Sequence, residues 1–112
     1  MPVRPPRSLA PRALASNPLA VFERELLQEA AASLGDAGRR LEAALSALRD
    51  FEEAGKDDAQ ARAALVSKAG DMLWRYLVQR EACGLRDSET IMRQYQVPAA
   101  VRRRMGIVGP RQ

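Results

Sequence analysis

One apolar stripe constrains this chain more than any other feature. Leu27, Ala30, Leu34, Ala37, Leu41, Ala44, Leu48 and Phe51 recur at alternating spacings of three and four residues. That is the a/d pattern of a heptad, sustained through four repeats. It predicts one long helix whose apolar seam needs a partner helix, and it specifies no chemistry. Leu27, Leu34, Leu41, Leu48 and Phe51 are its large members and the candidate dimer or packing seam.

The rest of the composition agrees with an all-α chain. Ala, Leu, Glu and Arg dominate, and all are good helix formers. No stretch alternates apolar and polar residues as a half-buried strand would. At 112 residues the chain makes one domain with one modest core. There is no histidine and a single cysteine, Cys83. A Cys/His zinc site within one chain, a histidine triad and histidine acid–base chemistry are therefore excluded, as is an internal disulfide. No cofactor is implied, and no catalytic or metal-binding residue is named.

Asn17-Pro18 opens the first helix, because Asn caps well and Pro suits the first helical position. The helical pattern then runs to about Glu53. Gly35 and Gly38 interrupt it in composition, and Gly35 with Asp36 suits a break. The unbroken a/d register favours one helix. Gly55-Lys56-Asp57-Asp58 is a turn, and a second helix follows from about Asp58 to Cys83, closed by Gly84. Its stretch Met72–Val78 is apolar nearly all round and calls for cover on several sides. A third helix begins near Asp87-Ser88 and stops at Val97-Pro98. Pro98 opens a last short helix through Met105. A helix of about 36 residues is roughly 54 Å long, whereas a compact monomer of this size has a radius of gyration of only ~13 Å. A homodimer forming a four-helix bundle resolves that mismatch.

Residues 1–16 carry three arginines, four prolines and no acid, and read as a flexible arm. Residues 17–106 form the single helical domain, and 107–112 are a tail. The arm lacks the apolar run of a signal peptide, and an organelle transit peptide is the lesser alternative. No segment approaches a membrane span. A cytoplasmic location is the expectation.

Three functional readings follow. The leading one is a non-enzymatic, self-associating interaction or assembly module, with a further protein partner in scope. The second is nucleic-acid binding through Arg102, Arg103 and Arg104, which end a helix–turn–helix-like segment, aided by Arg4, Arg7 and Arg12. Against it, Gln96 stands where such turns often carry glycine, and the last helix offers no Asn or Gln to read adenine. Arginines solvated on a hairpin clamped to the core are the plainer account. The third is a small-ligand or enzymatic site near Arg80 and Tyr76, built from Trp74, Tyr76, Arg80, Glu81, Arg86 and Asp87. A helix end and a new helix cap pinned by surface ion pairs explain the same residues. Cys83 reads as a small buried apolar residue, because a helix C-terminus opposes a thiolate.

The runs Gly38-Arg39-Arg40-Leu41-Glu42-Ala43-Ala44-Leu45, Gln79-Arg80-Glu81-Ala82-Cys83-Gly84-Leu85-Arg86-Asp87 and Tyr95-Gln96-Val97-Pro98 resemble a small bacterial all-helical family of unknown function. The resemblance spans about residues 18–106. It implies a bacterial cytoplasmic origin and adds no mechanism.

Overall fold

A computed structural model describes residues 17–106. The expected arm at 1–16, with its three arginines, and the tail at 107–112 lie outside the described residues. Four helices follow one another: α1 over Pro18–Glu53, α2 over Ala59–Ala82, α3 over Ser88–Gln94 and α4 over Ala99–Arg104. No strand occurs among the described residues.

Local chemistry sets each boundary. The Asn17 side chain accepts a hydrogen bond from the Leu19 N–H at 2.9 Å, capping α1. That helix then runs unbroken through Gly35 and Gly38. The Asp58 carboxylate caps α2 by accepting from the Ala61 N–H at 3.0 Å. At the far end, the Leu85 N–H donates to the Arg80 carbonyl and the Gly84 N–H to the Glu81 carbonyl. This Schellman closure needs a left-handed residue, and Gly84 supplies it at φ +85°. The end of α3 uses the same device without glycine. Gln96 sits at φ 52°, and the Val97 N–H reaches back to the Met92 carbonyl at 3.0 Å. Pro98, at φ −64° and ψ 152°, stands as the extended residue before α4 rather than as its first turn.

The chain divides into a unit ending at Ala32 and a unit beginning at Ser33, with α1 passing through the division. The second unit holds the core. Leu41, Leu45 and Leu48 of α1 pack with Val66, Ala69, Leu73 and Tyr76 of α2, Ile91 and Met92 of α3, and Val101 of α4. This part of α1 is antiparallel to α2. Glu52 pairs with Arg62 at 2.6 Å near the turn, and Gly38 meets the Tyr76 ring farther along. Burying side chains of this kind stabilises by roughly 1.5–3 kcal/mol each relative to exposure. Helix α4 lies across α2 at Gly70, where a methyl would stand 3.1 Å from Arg104 Cγ and 3.3 Å from its backbone carbon.

The Met72–Val78 stretch departs from expectation. Leu73 and Tyr76 are buried, Met72 and Leu77 half-buried, and Trp74 and Val78 remain 51% and 45% exposed. The cause is the shortness of the C-terminal helices. They cover the Gly70 face, and Gly106 reaches only one edge of the Trp74 ring.

In the first unit, the described residues form the opening of α1. Its large apolar side chains are uncovered: Leu19 is 63% exposed, Phe22 56%, Leu26 47% and Leu27 71%.

Candidate functional site

The six residues of the α2–α3 region are divided among three tasks. Tyr76 is a core residue, with its ring edge-on to Tyr95 at 5.8 Å between centroids. Burial, and then the hydrogen bond with Tyr76, push the Tyr95 hydroxyl up to about 12. The Arg80 guanidinium lies 5.9 Å from the Tyr76 ring centroid, a cation–π arrangement. Its Nε is buried with no hydrogen-bond partner among the described residues. Asp87 is the N-cap of α3. It accepts from the Thr90 hydroxyl and, at 3.2 Å, from the Thr90 N–H. Those bonds hold its carboxyl below the usual value, the side-chain bond most of all. It is thus an ionised cap, a poor proton donor near neutrality.

Trp74, Arg80, Glu81 and Arg86 do share a site. They line a recess of about 200 Å³ with Leu77, Val78, Leu85 and Ser88. Its charges largely answer one another, since Arg86 pairs with Glu81 at 3.3 Å in an exposed ion pair. Tyr76 and Asp87 are not part of its wall. Cys83, expected as a buried residue, is instead exposed. It is the C-cap of α2, where the chain turns away from the core through Gly84. Among the described residues, no three His, Cys, Asp or Glu side chains are grouped to hold a metal ion.

The three C-terminal arginines also separate. Arg102 pairs with Glu89 at 2.8 Å, tying α4 to the start of α3. Arg104 is half-buried, its stem laid over Gly70 and its Nη2 donating to Ser67 Oγ at 3.1 Å. Arg103 is exposed, with no ion pair or hydrogen bond from its side chain among the described residues. The expectation of three solvated arginines therefore fails for Arg104, while Arg102 and Arg103 are exposed. A stem packed on a glycine is what fixes Arg104, and no periodicity in the sequence announces that contact. A nucleic-acid phosphate would find Arg102 and Arg104 each already holding a protein partner, Glu89 and Ser67.

The seam residues have different fates. Leu41 and Leu48 are fully enclosed in the core, while Leu34 is half-buried against it and Phe51 is half-buried. Leu27 is open. In the second unit, a surface absent from the sequence reading lies between α1 and α2. A recess of about 360 Å³ is floored by Ala43, Ala44, Ala47, Leu65 and Met72, with Arg40 and Lys68 on its rim. Arg40 and Met72 also line a second recess of about 210 Å³, which carries the furrow on past Arg75 to Ser33 and Gln79. Small side chains on α1 opposite long ones on α2 create it. The signal was available in Ala43 and Ala47, polar-face positions filled by alanine.

No helix among the described residues is long and apolar enough to cross a membrane. No curated protein and no solved structure matches the chain. A model of a family of unknown function, DUF6665, matches residues 9–112, and the chain belongs to that family.

Proposed function

We propose that this protein is a non-enzymatic helical assembly module that forms a homodimer through the opening of α1. The observation that carries this reading is the exposure of Leu19, Phe22, Leu26 and Leu27 within about two and a half turns of one helix. Single exposed leucines are ordinary, but a grouped set on one segment marks an interaction surface. A helix of this length gains its stability in water from packing its apolar face, since short helices alone are marginal. The recess beside Trp74 supports catalysis less well, because Glu81, its one carboxylate, is paired with Arg86 and no nucleophile–base couple stands in it.

Sedimentation and light scattering of the purified chain test the proposal. The expected mass is twice the 12.3 kDa of one chain. Leu26→Asp places a charge in the interface and is expected to yield monomers whose Trp74 fluorescence transition in urea is retained. A wild-type chain that stays monomeric across the accessible concentration range would refute the reading.

A further inference from the structure

We infer that the furrow between α1 and α2 receives the opening of α1, residues 18–32, from a second copy of this chain. The inference rests on the self-association proposed above and names the surface that the exposed helix face enters. Length, polarity and charge each fit. The furrow follows α1 from Ser33 to Ala47, and the segment 18–32 has the same number of residues, so each is roughly 21 Å long as helix. The floor at Leu65, Met72 and Ala44 is apolar, as a groove for the apolar face of a helix must be. The rim carries Arg40, Lys68 and Arg75 against a single acid, Asp36, and is net cationic. Arg40 is partly answered by Asp36 at 2.9 Å, whereas Lys68 and Arg75 form no ion pair among the described residues. The incoming segment is acidic, with Glu23, Glu25 and Glu29 against a single Arg24. Glu25 and Glu29 stand one turn apart on one flank of the face made by Leu19, Phe22 and Leu26, so a rim on that side of the seated helix meets both carboxylates. Exchange in both directions closes a two-fold dimer and leaves neither groove open.

Charge reversal with rescue tests this. Lys68→Glu with Arg75→Glu, and separately Glu25→Lys with Glu29→Lys, are surface changes that leave the core untouched. Each pair is expected to raise the dimer dissociation constant about tenfold, through four rim pairs of modest strength in the closed dimer. The weakening should shrink in high salt. A chain carrying all four substitutions should recover the wild-type constant. Two results overturn the inference while self-association stands. One is a dimer indifferent to both reversals yet broken by Leu26→Asp. The other is a dimer that retains a copurifying acidic amphiphile, detected by native mass spectrometry and lost in the Lys68→Glu, Arg75→Glu chain. A monomeric wild type removes both the inference and the proposal beneath it.

Discussion

Gly70→Ala and Gly35→Ala form a matched pair, because both glycines lie inside long helices and differ only in what surrounds them. Glycine inside a helix costs roughly 1 kcal/mol relative to alanine. At Gly35 the nearest obstacle to a methyl is the tip of the Arg39 side chain at 3.4 Å, which can swing away. Gly35→Ala should therefore stabilise by about 1 kcal/mol. At Gly70 the same methyl would stand 3.1 and 3.2 Å from the Arg104 stem and 3.3 Å from its backbone carbon. The stem is flexible, but the backbone of α4 is not, so α4 must shift or the methyl must be squeezed. Overpacking of this kind costs ~1–3 kcal/mol. Less the propensity gain, Gly70→Ala should destabilise by about 0–2 kcal/mol, leaving a gap between the variants of ~1–3 kcal/mol. Urea unfolding followed by Trp74 fluorescence measures both, at one fixed protein concentration so that association does not enter the comparison. A Gly70→Ala chain as stable as Gly35→Ala would refute the close seating of α4 on α2, and with it the structural role given to Arg104.

Two further outcomes concern single groups. Gln96→Gly should stabilise by roughly 0.5–1 kcal/mol, since relief of the left-handed strain exceeds the added freedom of the unfolded chain; a destabilised Gln96→Gly chain would mean that the glutamine side chain, not the backbone turn, matters there. The Tyr95 hydroxyl is raised from 10.0 in its ordinary state to about 12 in the folded chain. Its contribution is thus complete below pH 10 and lost as pH rises toward 12, and in tyrosinate absorbance Tyr95→Phe should remove a titration step near pH 12.

Much of the architecture was legible because it is written in local chemistry. Asn17 and Asp87 are caps in the sequence and in the structure, while Asp57 and Asp58 suit the next cap equally in the sequence and the structure uses Asp58. The phase of the stripe across Leu34, Ala37 and Leu41 outweighed two glycines, and α1 is continuous. Surfaces were harder to read, because they depend on which elements meet at a distance. Nothing near Cys83 in sequence says that the chain leaves the core there. Nothing around Arg104 says that Gly70, more than thirty positions earlier, will receive its stem. The furrow between α1 and α2 arises from Ala43 and Ala47 facing Leu65 and Met72, a juxtaposition only the antiparallel pairing creates.

The stripe itself carries the most general point. A heptad pattern states which residues share a helix face, and is silent on whether the covering partner lies in the same chain. Here one uninterrupted pattern has both fates. Leu41 is fully enclosed by α2 and the short helices, whereas Leu27, two heptads earlier in the same phase, is 71% exposed. Truncation separates them. Leu41→Ala should cost ~2–5 kcal/mol in the Trp74 unfolding transition, the usual loss for a cavity in a packed core. Leu27→Ala removes nothing from that core and, in monomers, should leave the transition within about 0.5 kcal/mol. Its effect belongs to association, where it should raise the dissociation constant of the dimer. If Leu27→Ala instead lowers the core transition as far as Leu41→Ala does, the two halves of the stripe are covered by the same chain, and the exposed face of α1 is no docking surface at all.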